Sequence, residues 1–328
     1  MTTALTPGLD PGLAAVLETI DRLGLPRMGE GTPAEARAAF RRVTCDIRAP
    51  ELVVPVGSVE DGALPGPAGE LRTRTYRPAG VADAVPTVLF LHGGGWVIGD
   101  LDTHDNQARR LCRDLGAVVV SLDYRRAPEA PFPEPVDDAW AAVRWVAEHV
   151  GELGGDPVRV AVCGDSAGGN LAAVVARRAR DAGGPALAAQ LLLYPGLDVA
   201  AEPTTYPSRL ENREGYLLGL RDMEWFGTHY VGAWLAAGKE LTDPDLSPLH
   251  ATDLRGLAPA VVVVAEFDPL RDEGVTYASA LTAAGTPTTL VRADGMIHGF
   301  FDLAPVSDAV EAAVARSTAA FRTALRAP

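Results

Sequence analysis

From residue 86 onward, short apolar segments alternate with stretches of helical character, and this alternation restricts the possible fold more than any other feature. The apolar segments are continuous runs, which is typical of strands buried on both faces. Such strands, separated by helices, predict an α/β protein with a mostly parallel sheet covered on both sides. The predicted strands are Thr87–Leu91, Ala117–Leu122, Val158–Cys163, Leu187–Tyr194, Ala260–Ala265 and Thr288–Val291. The predicted helices span residues 104–115, 137–152, 167–182, 270–284 and 307–326.

Two parts of the chain do not follow this alternation. Residues 9–45 carry apolar side chains at helical spacing, so residues 1–50 are predicted to form a small helical N-terminal region. About 65 residues separate Tyr194 from Ala260, which is too many for a simple crossover between strands. Part of this interval, at about 200–245, is rich in aromatic residues. We interpret it as an insertion that could lie over the sheet, together with the N-terminal helices.

The main domain is predicted to span residues 51–328 and to begin with two strands. Residues 51–56 and 70–77 have the character of extended chain, and a Gly- and Pro-rich turn at 62–69 separates them.

Composition and charge exclude several classes of protein. Apolar residues make up 47% of the chain and charged residues 22%, which is typical of a globular protein with a large core. The net charge of −14 would repel a phosphate backbone, so we expect no nucleic-acid partner. No apolar run approaches the roughly 18 residues that a membrane span needs, and the N-terminus lacks the pattern of a signal peptide. We therefore expect a cytoplasmic protein that is not bound to a membrane.

No metal site or disulfide framework is predicted. Cys45, Cys112 and Cys163 are widely spaced and lie outside any Cys-x-x-Cys or Cys/His ligand pattern. Residues 100–105 combine three aspartates with His104 and could ligate a metal ion. Helix capping and loop hydrogen bonds are the better explanation for these side chains.

The most informative motif is Gly-Asp-Ser-Ala-Gly-Gly at residues 164–169. It directly follows a predicted strand and opens a predicted helix, which is the position of a nucleophile elbow. Small residues let the strand and the helix approach closely, and the helix N-terminus favours developing negative charge. The motif therefore predicts Ser166 as a nucleophile. The alternative is a glycine-rich turn with an incidental serine.

A second motif, His-Gly-Gly-Gly-Trp at residues 92–96, follows the predicted strand Thr87–Leu91. Consecutive glycines let backbone amides approach a ligand, and such a loop supplies donors to the oxyanion of an acyl-transfer intermediate. We predict that the amides of Gly93 and Gly94 are these donors, joined by Ala167, the residue after the nucleophile. The alternative, a flexible loop, is weakened by its position at the carboxyl end of a strand, where α/β sheets bind ligands.

Asp268 and His298 each follow a predicted strand, so both should reach the same edge of the sheet as Ser166. The chain order of serine, aspartate and histidine is the order found in α/β hydrolases. In that arrangement His298 would take the proton of the serine, and Asp268 would hold the imidazole in the required tautomer.

Other residues could take these two roles. The alternative acids are Glu266, Asp272 and Glu273. Asp268 is favoured because it lies in the turn itself and is followed by a proline, whereas helical positions usually face solvent or cap the helix. The alternative bases are His92, His104, His149, His229 and His250. None of them has a position that argues for this role as clearly as that of His298.

Taken together, these motifs resemble those of the hormone-sensitive lipase family of bacterial esterases, within the α/β-hydrolase superfamily. The resemblance extends from about residue 70 to the C-terminus, whereas the first 50 residues match only loosely. The segments that carry it are HGGGWVIGDLDTHD (92–105), DYRRAPEAPFPEPVDDA (123–139), GDSAGGNLA (164–172), SPL (247–249), DPLRDEG (268–274) and GMIHGF (295–300).

The resemblance implies an α/β-hydrolase fold, with a mostly parallel eight-stranded sheet, flanking helices and a helical cap formed by the N-terminal helices and the insertion. It implies a serine carboxylesterase that needs no cofactor and acts on small-molecule esters with short acyl chains. The family's triad positions fall on Ser166, Asp268 and His298, and its oxyanion glycines fall on Gly93 and Gly94. A homodimer is a further expectation from the family.

Other functions remain open at this point. Some proteins that resemble this family bind a ligand in the same pocket without turnover, but they typically lack the histidine that is present here as His298. An amidase, a lactonase or an acyltransferase would use the same nucleophile and oxyanion hole, so spacing does not separate them from an esterase. Trp96, Tyr194 and Ile297 adjoin the catalytic positions and are predicted to line the substrate pocket, with plain core packing as the alternative.

Overall fold

The structure is a computed structural model, and it describes residues 6–24, 29, 31–46, 48–81 and 83–326. The strands are β1 (Ser58–Gly66), β2 (Gly69–Arg77), β3 (Val85–Leu91), β4 (Val118–Leu122), β5 (Gly155–Asp165), β6 (Ala189–Leu193), β7 (Ala260–Phe267) and β8 (Thr288–Ile297). The α-helices are α1 (Pro11–Leu23), α2 (Pro33–Arg41), α3 (Asp105–Leu115), α4 (Glu134–Glu148), α5 (Ala167–Asp181), α6 (Pro207–Glu211), α7 (Leu220–Ala236), α8 (Arg271–Ala283) and α9 (Asp308–Ala324). A π-helical turn covers Arg42–Asp46, and 3₁₀ helices cover Pro50–Leu52, Pro248–His250 and Phe300–Val306.

These strands form one eight-stranded sheet in the order β1-β2-β4-β3-β5-β6-β7-β8. β2 is antiparallel to both of its neighbours, β1 and β4. All the pairs from β4 to β8 are parallel. The predicted α/β fold with a mostly parallel eight-stranded sheet and flanking helices is therefore confirmed.

Apolar side chains cover both faces of the sheet. Along β3, Leu89 and Leu91 belong to a first core that also contains residues of α4, α5 and α8. Val88 and Phe90 belong to a second core, with residues of α3 and α9. Because side chains alternate between the faces of a strand, a strand with a core on each side is apolar throughout, which explains the continuous apolar runs.

The predicted strands and helices after residue 86 are confirmed, with shifts at their ends. The largest shift is at β8, which continues to Ile297, six residues beyond the predicted end at Val291. The continuation contains Arg292 and Asp294, which are exposed and interrupt the apolar run. β8 lies at the edge of the sheet, where polar side chains can point to solvent.

The prediction for the first two strands is wrong in part. Residues 51–56 contain no strand, since they include the end of a 3₁₀ helix and β1 begins only at Ser58. The expected turn at 62–69 is reduced to Pro67 and Ala68, because β1 and β2 pair up to that point. A proline and glycines are tolerated inside β1 because it is an edge strand, with one side free of partners.

The two segments outside the alternation both contain helices, α1 and α2 in the N-terminal region and α6 and α7 in the insertion. In the insertion, α7 contacts the N-terminal region: Trp225 Nε1 donates to the Gly31 carbonyl over 3.2 Å, and the Gly29 amide donates to Asp222 Oδ1 over 2.9 Å. In contrast, α1 packs against the second core through Leu13, beside the 3₁₀ helix that precedes α9. The N-terminal region is therefore divided between two faces of the molecule.

Two of the three cysteines pack in the core. All three cysteines are free, and Cys112 and Cys163 are buried in the second core. Burial raises the pKa of the Cys112 thiol to about 12, so this residue packs as a neutral apolar side chain.

Within the described ranges, every helix is too short or too polar to cross a membrane.

Candidate active site

Ser166 lies in a sharp turn between β5 and α5, at the carboxyl edge of the parallel strands. Its φ of 54° and ψ of −118° lie in a region that residues other than glycine rarely adopt. Glycines make this tight turn possible. A Cβ on Gly164 would lie 2.1 Å from the Gly168 carbonyl oxygen, and a Cβ on Gly168 would lie 1.9 Å from that of Leu91. Close backbone packing therefore holds the serine in a strained conformation of the kind that is concentrated at functional sites.

The structure brings Ser166, Asp268 and His298 into one chain of hydrogen bonds. The distance from His298 Nε2 to Ser166 Oγ is 2.9 Å, and that from His298 Nδ1 to Asp268 Oδ2 is 2.7 Å. The second carboxylate oxygen of Asp268 accepts the amide of Leu270 over 2.8 Å. Asp268 is fully buried, so its carboxylate interacts with the imidazole in a region of low dielectric. Such a chain can transfer the serine proton to the imidazole and stabilise the resulting charge.

The alternative acids have other partners. Glu266 accepts the Gly295 amide, Asp272 accepts the Ser208 amide, and Glu273 binds Arg209. The alternative histidines also have other contacts within the described part of the chain. His92 stacks on Tyr124, His104 lies beside Asp165, His149 stacks on Trp145, His229 lies against Trp225, and His250 bonds to Asp198.

The loop after β3 corrects one predicted donor. The Gly93 amide donates to Asp165 Oδ1 over 2.8 Å, so its hydrogen is already used inside the protein. The prediction that Gly93 donates to an oxyanion therefore does not fit the structure. Within the described residues, no hydrogen bond uses the amides of Gly94, Gly95 or Ala167 as a donor. The loop amides available to a ligand are therefore those of Gly94 and Gly95, whereas the predicted pair was Gly93 and Gly94.

Helix α7 of the insertion packs directly on this loop. Gly95 has a φ of 57°, and a Cβ on it would lie 2.2 Å from Cγ of Phe226. The indole of Trp96 stacks on the ring of Tyr230, with the centroids 4.2 Å apart and 6° between the planes. The conformation of the loop therefore depends on the insertion as well as on the sheet.

Tyr124, His92 and Asp165 support the loop through contacts that the sequence does not predict. The Tyr124 hydroxyl donates to the His92 carbonyl over 2.7 Å, and its ring stacks on the imidazole of His92 at 4.2 Å. Burial lowers the pKa of His92 well below its usual value, so the ring is neutral. Asp165 is buried next to them and receives the Gly93 amide. The motifs contain all three residues, but nothing in their spacing indicates these contacts.

The predicted pocket residues occupy three different environments. Trp96 packs against α7, as described above, and Tyr194 lies edge-on to His298, with 4.9 Å between the ring centroids. Tyr194 also has a positive φ of 36°, which is unusual for a residue with a side chain. Ile297 is fully buried in the second core. The ring of Tyr194 is thus in contact with the imidazole, whereas Ile297 packs as a core residue.

Residues 100–105 use their side chains for hydrogen bonds and ion pairs. Asp100 Oδ1 accepts the amides of Asp102 and Thr103, and Asp102 pairs with Arg74 over 3.0 Å. Burial lowers the pKa of His104 to about 4. The described residues contain no group of three or more potential ligands arranged to hold a metal ion.

The chain resembles known proteins over most of its length. A family profile described as the alpha/beta hydrolase fold matches residues 88–302. The chain is 47% identical to the carboxylic ester hydrolase LipN of Mycobacterium tuberculosis over 301 residues, which cover 90% of this chain and 77% of LipN. It is 41% identical to the carboxylesterase NlhH of the same species, with 99% of each chain covered.

The chain also superimposes on a solved structure over nearly its whole length. An ester hydrolase from the metagenome of Lake Arreo, solved with a bipyridine phosphonate derivative, superimposes with a TM-score of 0.88 and 42% identity. The match covers 96% of this chain and 98% of that one. Because the family profile matches more than half of the chain and the relatives are this similar, the chain belongs to the α/β hydrolase fold family and is an enzyme of its hormone-sensitive lipase type.

Proposed function

We propose that the protein is a serine carboxylesterase that hydrolyses small esters with short acyl chains through an acyl-enzyme on Ser166. The observation that carries the proposal is the hydrogen-bonded chain from Ser166 Oγ through His298 to Asp268, with distances of 2.9 and 2.7 Å. The names of the relatives LipN and NlhH support ester hydrolysis as the reaction. The preference for short acyl chains follows from the family resemblance.

In the proposed mechanism, Ser166 Oγ attacks the ester carbonyl while His298 Nε2 takes its proton. Asp268 accepts the Nδ1–H of His298 and stabilises the imidazolium. When the tetrahedral intermediate collapses, the C–O bond to the alcohol breaks and His298 protonates the leaving oxygen. A water molecule, deprotonated by His298, then attacks the acyl-enzyme. The acid is released and the Ser166 hydroxyl is restored.

The oxyanion donors in this mechanism are the amides of Gly94, Gly95 and Ala167. Gly93 is excluded because its amide is bound to Asp165. Ala167 is the first residue of α5, where amides have no acceptor inside the helix and the dipole favours negative charge. Preorganised donors of this kind stabilise the developing charge without reorganisation of solvent, and one of them contributes about 3 kcal/mol.

The proposal includes a cap formed by the insertion, α2, Gly29 and Gly31. This extent is supported by the hydrogen bonds between the N-terminal region and α7, and by the packing of α7 on Gly95 and Trp96. The proposed cap excludes α1, which belongs to the second core.

A homodimeric state and a cytoplasmic location stay predictions.

The test is a steady-state and burst assay with the p-nitrophenyl esters of acetate, butyrate, octanoate and palmitate, with Ser166→Ala as the control. We expect turnover that is fastest with a short chain and about a million-fold lower in the variant, as for other triad knock-outs. The matching p-nitroanilides separate an esterase from an amidase. No turnover by the wild type, or equal turnover by the variant, would contradict the proposal and favour a binding protein on the same fold.

A further inference from the structure

The turn at residues 268–270, which carries Asp268 and is called the acid turn below, is bound by a segment of the insertion. Ser208 Oγ donates to the Pro269 carbonyl over 2.9 Å, and Asn212 Nδ2 donates to the Asp268 carbonyl over 3.2 Å. Ser208 also accepts the Asp272 amide over 3.2 Å. Two side chains of the insertion therefore bind three backbone groups, two in the acid turn and one at the start of α8.

These contacts lie in the interior of the protein. Ser208 is fully buried and Asn212 is 3% exposed, so the carbonyls that they bind have no water as an alternative partner. The segment contains α6, which has five residues and is too short to be stable alone. Its order must therefore come from tertiary contacts, which include those with the acid turn and those of Arg209 with Asp198 and Glu273.

The position of the turn determines the position of the carboxylate. Asp268 Oδ1 is bound by the amide of Leu270, inside the same turn, and Oδ2 is bound by His298. The carboxylate is thus fixed relative to its own turn, and a displacement of the turn would move Oδ2 relative to His298 Nδ1. Asp268 follows β7 and His298 follows β8, and the last residues of these strands, Phe267 and Ile297, pair with each other. The 2.7 Å distance therefore depends on the path that each turn takes after its strand ends.

A second part of the insertion reaches the same region. The ring of Tyr216 lies 5.2 Å from that of Phe267, the residue before Asp268. A Cβ on Gly299, the residue after His298, would lie 3.3 Å from Cδ2 of Leu217. The insertion therefore contacts the neighbours of both residues in sequence.

From these contacts we propose that Ser208 and Asn212 are positioning residues, which hold the Asp268 turn so that its carboxylate aligns with His298. This makes the insertion part of the apparatus that orients the imidazole as well as a cover over the sheet. The inference rests on the proposed function, because it assigns these residues to the alignment of the same catalytic chain.

The test compares Ser208→Ala and Asn212→Ala with Leu210→Ala. Leu210 lies on the same short helix, and its 46% exposure makes it a matched control. We expect both test variants to lower kcat for p-nitrophenyl butyrate by about 10- to 100-fold, because small displacements of catalytic groups have effects of this size. KM should stay within about twofold of the wild-type value, since the substrate contacts do not change. Leu210→Ala should behave like the wild type in both constants.

A spectroscopic measurement distinguishes positioning from a general loss of structure. The Nδ1 proton of a histidine bound to a carboxylate gives a strongly deshielded proton NMR signal, which reports on the His298–Asp268 hydrogen bond directly. We expect this signal to shift or broaden in Ser208→Ala and Asn212→Ala, while circular dichroism stays that of the wild type. Ser208→Ala removes a single oxygen atom, so it carries the test if Asn212→Ala does not fold.

The outcomes separate the two proposals. A folded Ser208→Ala with wild-type kcat and an unchanged deshielded signal would overturn the positioning role. A change in KM alone would overturn it as well, because it would assign these residues to substrate binding. If the wild type hydrolyses no ester, the proposed function fails, but the NMR comparison still shows whether the two residues align Asp268 with His298.

Discussion

The carboxylate of Asp165 accepts a hydrogen bond from the Gly93 amide, with 2.8 Å between Oδ1 and N. This bond joins the end of β5, immediately before Ser166, to the loop that carries Gly94 and Gly95. Both bonded residues are buried, so the interaction takes place in a region of low dielectric. It therefore maintains the distance between the proposed nucleophile and the proposed oxyanion donors.

The first prediction concerns the removal of this acceptor. In Asp165→Asn the side chain can still accept the Gly93 amide through its oxygen, whereas in Asp165→Ala the amide is left buried without a partner, at a cost of about 1–3 kcal/mol. We expect Asp165→Ala to lower kcat by about 100-fold, because the donors of the loop lose their position. Asp165→Asn should keep most of the activity. Steady-state kinetics with p-nitrophenyl butyrate would contradict the prediction if both variants had the same kcat.

The second prediction concerns the pH dependence of stability. Burial raises the pKa of Asp165 to about 7, compared with about 3.9 for an unperturbed aspartate. The folded state therefore holds the proton of the Asp165 carboxyl group more tightly than the unfolded state does. As a result, the contribution of Asp165 to stability is complete below about pH 4 and is lost as the pH rises through about 7. Between about pH 5 and pH 8, the free energy of unfolding of the wild type should therefore fall relative to that of Asp165→Asn. Urea denaturation at both pH values measures this difference, and parallel curves for the two proteins would refute it.

The third prediction concerns the stacking of Trp96 on Tyr230. The Tyr230 hydroxyl is buried, and it has no hydrogen-bond partner among the residues that the structure describes. Tyr230→Phe should therefore keep the stack and at least the wild-type stability. Tyr230→Ala should cost about 3–5 kcal/mol of unfolding free energy through the cavity that it leaves. It should also lower kcat, since Trp96 adjoins the proposed donors. Urea denaturation and kinetics of the two variants check both effects. Equal kcat values for Tyr230→Phe and Tyr230→Ala would show that the stack does not affect catalysis.

The central sheet and the proposed catalytic chain are predictable because their signals are local. A strand buried on both faces is apolar along its whole length, so β3 to β7 are recognisable without any knowledge of their neighbours. Ser166, Asp268 and His298 each follow a strand, and parallel strands bring their carboxyl ends to one edge. The sequence is less informative at the edges of the sheet. There β1 contains glycine and proline, and β8 carries exposed polar residues.

The support around the site is not predictable, because it depends on contacts between distant residues. The three consecutive glycines of the loop are equivalent in sequence, and it is the bond to the Asp165 side chain that takes up the Gly93 amide. Similarly, Ser208 and Asn212 lie in a segment without any catalytic motif. Their partners are backbone carbonyls about 60 residues away along the chain. Every residue has a backbone carbonyl, so the sequence does not indicate which one is bound.

The last prediction concerns the buried ion pair of Arg209 and Glu273, whose side chains are 6% and 1% exposed and lie 2.7 Å apart. Arg209→Met leaves a buried carboxylate without its partner, which should cost about 3–5 kcal/mol of unfolding free energy. The cost should be larger at pH 8 than at pH 5, because burial already raises the pKa of Glu273 to about 7 and an unpaired Glu273 can take up a proton. The double variant with Glu273→Gln should recover most of the loss. Glu211 lies on the same helix as Arg209, and its exposed carboxylate pairs with Arg271 of α8. Glu211→Gln, which breaks this pair, should cost less than about 1 kcal/mol. Urea denaturation of these variants tests the prediction, and similar losses for Arg209→Met and Glu211→Gln would contradict it.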